Sequence, residues 1–169
     1  MTNVKVKICG VTTFDDALMA AEFGVDMIGL NFYKPSPRYI IPDNATMLCD
    51  ELRARLGDNC PVLVGVFVNE AVGTISQIVG KVGLDAAQLS GDESIDMLKE
   101  LRGIGFKGIR PMNKAMALDD ATYYAPQFPE DDRLPSMLLD AYHPSLYGGT
   151  GEQASEEIIE LDRPFSDRP

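Results

Sequence analysis

The chain is poor in the residues that build metal and disulfide frameworks. Histidine occurs once, at His143, and cysteine three times, at Cys9, Cys49 and Cys60. Three is an odd number, the spacing is irregular and no C-x-x-C occurs, so a Cys/His zinc site is not expected. Free thiols in a reducing cytosol are the expectation, and with them a cytoplasmic location. Positive charge is also scarce: 15 Lys and Arg stand against 26 Asp and Glu, a formal net charge of −11 over 169 residues. A nucleic-acid binder needs a cationic face, and so does a basic membrane-surface helix, so neither partner is expected. No apolar run approaches the roughly 18 residues of a membrane span. Met1 to Lys7 alternates charge and valine without a signal-peptide pattern. Low-complexity segments are missing too. What remains is a chain that is 45% hydrophobic, typical of a folded domain, and long enough for one domain or at most a small two-domain chain.

Short β-rich runs alternate with longer amphipathic stretches. Val4–Ile8 reads as a strand. Phe14–Phe23 carries Ala and Leu at helical spacing, with Thr13 as N-cap, Asp15 and Asp16 in the first turn and Gly24 just past the end. Met27–Phe32 is a second strand and Pro42–Leu56 a second helix, with Pro42 in the first turn and Gly57 after it. The pattern continues with strands Val62–Val68, Ala86–Leu89, Phe106–Arg110 and Ser136–Asp140. Helices Glu70–Val82, Ser94–Arg102 and Lys114–Tyr124 separate them. A helix between successive strands, with no tight hairpin, is the signature of βαβ units and a parallel sheet. Six such units of roughly 25 residues fit an open doubly wound sheet or part of a (β/α)8 barrel, and spacing alone does not choose. A complete barrel needs at least about 200 residues, so 169 falls short by about two units. Composition shifts only at the end, where 152–169 holds six acids and two arginines. The expected organisation is a partial (β/α) barrel over 1–151 and an acidic helix and tail over 152–169.

Parallel α/β proteins bind ligands at the C-terminal ends of their strands. The residues placed there are Cys9 and Gly10, Asn31, Phe32 and later Arg38, Asn69, Gln88, Ser90 and Gly91, Arg110, Asp140, and Gly148-Gly149-Thr150-Gly151. A thiol at a strand end can act as base or nucleophile; an inert buried cysteine is the plainer alternative for Cys9, and plainer still for Cys49 and Cys60. Asp140 ends the apolar run Met137-Leu138-Leu139, a partly desolvated setting that suits a general acid, although a cap would use the same residue. A base and an acid facing one pocket fit proton transfer beside a carbonyl or imine. Gly148, Gly149 and Gly151 offer backbone N–H donors for an anion or a lid, without the lysine and spacing of a P-loop. Arg38 can pair a carboxylate in bidentate fashion, or be a surface arginine. His143 reads as solvated.

Taken together these stretches resemble the phosphoribosylanthranilate isomerases, (β/α)8 TIM-barrel enzymes of tryptophan biosynthesis. The matching motifs are Val6-Lys7-Ile8-Cys9-Gly10-Val11-Thr12, Gly29-Leu30-Asn31-Phe32-Tyr33 with Pro35-Ser36-Pro37-Arg38-Tyr39-Ile40, Val64-Gly65-Val66-Phe67-Val68-Asn69, Gln88-Leu89-Ser90-Gly91-Asp92-Glu93, and Leu138-Leu139-Asp140 with Tyr147-Gly148-Gly149-Thr150-Gly151. Their order and spacing fit over 3–151. The resemblance implies an α/β barrel of the TIM type with about six of its units present. It implies an Amadori rearrangement of an aminoaldose phosphate to an aminoketose phosphate, without cofactor or metal. It makes Cys9 the general base at C2′, Asp140 the general acid on the furanose oxygen, and Arg38 the holder of the anthranilate carboxylate. Gln88, Gly148, Gly149 and Gly151 are placed around the phosphorylated substrate. The family usually has His where this chain has Ser90, and Lys where it has Glu152. Nothing matches the two glycine-rich strand ends that supply the family's phosphate site. The alternative is therefore a catalytically impaired partial barrel that a second copy or a complementing chain completes.

Overall fold

The computed structural model describes residues 5–140. Six strands, β1 (Lys7–Cys9), β2 (Met27–Asn31), β3 (Val62–Phe67), β4 (Ala86–Leu89), β5 (Gly105–Ile109) and β6 (Met137–Leu139), alternate with α1 (Phe14–Glu22), α2 (Pro42–Leu56), α3 (Val72–Val82), α4 (Ile95–Glu100) and α5 (Lys114–Tyr124). Local chemistry sets the helix ends. The Thr13 hydroxyl accepts from the Asp16 N–H, Pro42 occupies the first turn of α2, and Gly24 takes φ +80° after α1. α2, β4 and α5 keep the expected boundaries, and the other elements shift by one to three residues at one or both ends. β1 is shorter and later than Val4–Ile8, because it runs only where it pairs, with Lys7 opposite Met27 and Cys9 opposite Gly29. α4 stops before Arg102, which itself turns left-handed at φ +51°.

All neighbouring strands are parallel, and their order in the sheet is their order in the chain. A doubly wound sheet reverses its order at a switch point; this one does not, so the handedness rule puts every crossover helix on the same face. Strand alternation agrees. Ile28, Leu30, Leu63, Phe67, Ala87, Leu89 and Ile109 point outward into one core with residues of the helices. Met27, Val62, Val64, Ala86 and Phe106 point inward into a second cluster with Leu134. Burial on both faces is why the strands read as continuous apolar runs.

The sheet curls. Lys7 on β1 bonds to Gln88 on β4 and stands over the Phe106 ring on β5. In a flat sheet β1 and β4 would lie about 14 Å apart, at about 4.8 Å per strand. Contact across that gap requires the wall to bend around an interior, as in a barrel. At the N-terminal end of the strands the Lys5 ammonium donates to the Asp132 carbonyl, which joins the start of the chain to the loop before β6. No helix among the described residues is long and apolar enough to cross a membrane.

Candidate active site

The inner ends of the strands bring polar side chains together at one mouth. Cys9 closes β1 and is exposed. Its sulfur accepts from Lys7 Nζ, two residues earlier on the same face, at 2.8 Å. The same ammonium lies 2.5 Å from Gln88 Oε1 and 5.9 Å from the centre of the Phe106 ring. Gln88 is buried, and its Nε2 donates to Ser90 Oγ at 2.9 Å. Both ends of the Gln88 amide are thus engaged by the protein itself.

Arg38 comes to Cys9 through a glycine. Gly10 has φ +79°, and a Cβ there would stand 2.6 Å from Arg38 Cδ and 3.0 Å from Nε. The arginine stem therefore lies across Gly10, the residue that follows the thiol. Asn31 at the end of β2 shapes the loop that delivers it. Its Nδ2 donates to Ser36 Oγ at 3.1 Å, its Oδ1 accepts from the Tyr33 N–H at 2.9 Å, and its carbonyl accepts from the Ile40 N–H. Ser36 Oγ in turn accepts from the Arg38 N–H.

Asp140 is half-buried and follows β6, with its N–H donating to the Ile109 carbonyl at 2.9 Å. Leu138 belongs to the inner cluster, so alternation puts Asp140 on the inner side as well. Cys9 and Asp140 thus cap β1 and β6, the two edge strands of the described sheet. His143, Gly148, Gly149 and Gly151 lie outside the described residues, as does the acidic segment 152–169. Among the described residues no group of three or more His, Cys, Asp and Glu is arranged to hold a metal ion.

The sequence reading gave no role to Lys7, although a lysine two residues before a strand-end cysteine shares its face. It also missed Lys107 and Glu93, a buried pair at 2.9 Å behind the β4 end. Burial pushes the Lys107 ammonium below the usual lysine range, and Glu93 opposes that push. The Glu93 carboxylate accepts from the Asn69 and Gly91 N–H groups, so the loops after β3 and β4 are tied to one ion pair. Chemically, the mouth holds a thiol beside an ammonium, a guanidinium within reach and a carboxyl at the far edge. That set can take a proton from carbon, give one to oxygen and hold an anion.

Residues 6–164 match the family model described as N-(5′-phosphoribosyl)anthranilate (PRA) isomerase. An N-(5′-phosphoribosyl)anthranilate isomerase of Trichlorobacter lovleyi is 39% identical over 155 residues, 92% of this chain and 69% of that protein. The crystal structure of phosphoribosyl anthranilate isomerase from Thermotoga maritima superposes with a TM-score of 0.71 at 34% identity, covering 86% of this chain and 65% of that one. A phosphoribosyl anthranilate isomerase in complex with reduced 1-(o-carboxyphenylamino)-1-deoxyribulose 5-phosphate gives 0.69 at 34% identity, covering 83% and 66%. The chain spans about two thirds of the length of these relatives.

Proposed function

The chain belongs to the N-(5′-phosphoribosyl)anthranilate isomerase family, and from that premise we propose that it isomerises phosphoribosylanthranilate to the 1-deoxyribulose phosphate product in tryptophan biosynthesis, in the cytoplasm. Asp140 gives its proton to the furanose ring oxygen. The C1′–O bond breaks toward that oxygen, and the nitrogen lone pair closes a C1′=N bond. The Cys9 thiolate then takes the proton from C2′. That electron pair forms C1′=C2′, and the C=N pair returns to nitrogen. Tautomerisation of the enol gives the ketone. Only protons move, so the step balances without an electron acceptor or a second substrate. Arg38 holds the anthranilate carboxylate, and Gln88 lines the pocket from within. Gly148, Gly149 and Gly151 offer N–H donors to the anionic end. A positioned acid or base contributes roughly 10²–10⁴-fold in such a reaction.

The observation that carries this reading is the convergence on Cys9: an exposed thiol at a barrel-strand end, with Lys7 on its sulfur and Arg38 across the next residue. Loss of anthranilate-type fluorescence from phosphoribosylanthranilate tests it. Purified chain is expected to turn the substrate over, while Cys9→Ala and Asp140→Ala abolish turnover and leave the circular dichroism spectrum unchanged. Full activity in either variant overturns its role, and a folded wild-type chain without turnover overturns the activity.

A further inference from the structure

We propose that Lys7 is a positioning residue for Cys9, its ammonium anchored across the barrel by Gln88 so that the sulfur is held as a thiolate in the mouth. The proposal deepens the isomerase reading and rests on it for the identity of the reaction, but not for the state of the sulfur. Three observations carry it. Among the described residues, the hydrogen-bond acceptors of Lys7 are the Gln88 amide oxygen and the Cys9 sulfur. The amide is neutral, so ionisation of the sulfur supplies the counter-charge that a half-buried ammonium otherwise lacks. Secondly, the ammonium is fixed from the opposite wall. Gln88 is 6% exposed and is itself held by Ser90, so Lys7 cannot swing into solvent without leaving that carbonyl oxygen unpaired inside the barrel. Thirdly, room is made for the pair. Gly29 stands opposite Cys9 in register, and a Cβ on it would meet Cys9 Sγ at 2.6 Å and Lys7 Nζ at 3.2 Å. Any side chain there would push sulfur and ammonium aside.

Among the described residues Lys7 is the charged group bonded to the sulfur; Arg38 lies across Gly10, the next residue, and alternation puts Arg110 and Asp140 on the inner side after β5 and β6. Through the proposed proton transfer Lys7 keeps its own protons. Cys9 changes from thiolate to thiol and back, and the Lys7–Gln88 bond holds the ammonium in place while the sulfur is neutral.

The test reads the sulfur directly. The full chain is alkylated with iodoacetamide from neutral to alkaline pH, and modification of Cys9 is followed by peptide mass mapping, with Cys60 in the same digests as the internal standard. Lys7→Met is expected to slow Cys9 alkylation at neutral pH about tenfold and to move its profile to higher pH. Lys7→Arg restores most of the rate, and Cys60 is unchanged throughout. Coincident wild-type and Lys7→Met profiles overturn the proposal. If Lys7→Met fails to give a native circular dichroism spectrum, Lys7→Gln, which is neutral but keeps a donor toward Gln88, takes its place with the same criterion. Fluorescence turnover of the same proteins separates the two readings. A shifted alkylation profile in a chain without turnover supports the Lys7 role and removes the isomerase activity. Turnover with an unshifted profile does the reverse. Where both hold, Lys7→Met lowers kcat rather than raising KM.

Discussion

Replacing Lys107 by Met should be among the most damaging single changes to stability, although the residue lies outside the barrel mouth. Lys107 is 3% exposed and its partner Glu93 2%. Lys107 Nζ donates to Glu93 Oε2 at 2.9 Å and to the carbonyls of Leu89, Gly91 and Gly108. Met fills much of the same volume but answers none of these acceptors. It leaves a carboxylate in the interior that, among the described residues, keeps the Asn69 and Gly91 N–H groups as its donors. Breaking one side of a buried pair costs about 3–5 kcal/mol. With a urea dependence of about 2 kcal/mol per M, the midpoint should fall by about 1.5–2.5 M. Adding Glu93→Gln removes the stranded charge and keeps a carbonyl for the two N–H groups. The double variant should therefore unfold at higher urea than Lys107→Met alone. Equilibrium unfolding followed by circular dichroism gives both midpoints. A Lys107→Met midpoint within about 0.3 M of wild type, or a double variant weaker than the single, would refute the account of this pair as a mutually dependent unit.

Two further expectations use the shifted groups. Cys9 is exposed, Cys60 half-buried and pushed up by burial, and Cys49 is 0% exposed and pushed up to about 12 by desolvation. Ellman titration of the native chain at mildly alkaline pH should show one fast thiol, one slow thiol and a third that appears only in denaturant; three equal rates would contradict the described burial. Tyr124, whose hydroxyl donates to the Glu93 carbonyl at 2.7 Å, is raised from 10.0 to about 12, chiefly by burial. A raised phenol stabilises fully below pH 10, where both states are protonated, and loses that contribution as pH climbs through about 12. Tyr124→Phe should cost about 1 kcal/mol near neutrality and flatten the alkaline fall in stability; an identical alkaline limb in both proteins would count against the assignment.

Strand and helix positions were legible because each depends on neighbours in sequence. Thr13, Pro42 and Gly24 mark helix ends by local chemistry, and the parallel sheet follows from the lack of hairpin turns. Sheet order was not legible from spacing, since six βα units suit either winding; the linked motifs around Cys9, Arg38, Gln88 and Asp140 pointed to the barrel, and the chain-order sheet agrees. The positions of Cys9, Gln88 and Asp140 at strand ends, and of Arg38 in the loop after β2, were readable from the same rule that places ligands in parallel folds. Their partners were not. Lys7 reads as one charge in an edge strand until the wall curls and carries Gln88 and Phe106 to it. Lys107 reads as a polar interruption in the fifth strand, and Glu93 as one more acid in an acidic chain. Only the packed structure joins them across fourteen residues of sequence.

The mouth is also built by subtraction. Long polar side chains gather at Cys9 because the residues beneath them have none. Gly10 gives its surface to the Arg38 stem, and Gly29 gives its face of β2 to the Cys9 sulfur and the Lys7 ammonium. A methyl group at either position would meet atoms at 2.6 Å, closer than van der Waals contact allows. Gly10 carries a second constraint, since φ +79° is a backbone state that a side chain disfavours. Its N–H donates to the Gly29 carbonyl at 2.8 Å, so the two glycines are bonded to each other beneath the groups they admit. The geometry of thiol and guanidinium therefore depends on one short piece of backbone. A rigid strand pair fixes where the thiol stands, and two absent side chains decide what can stand beside it.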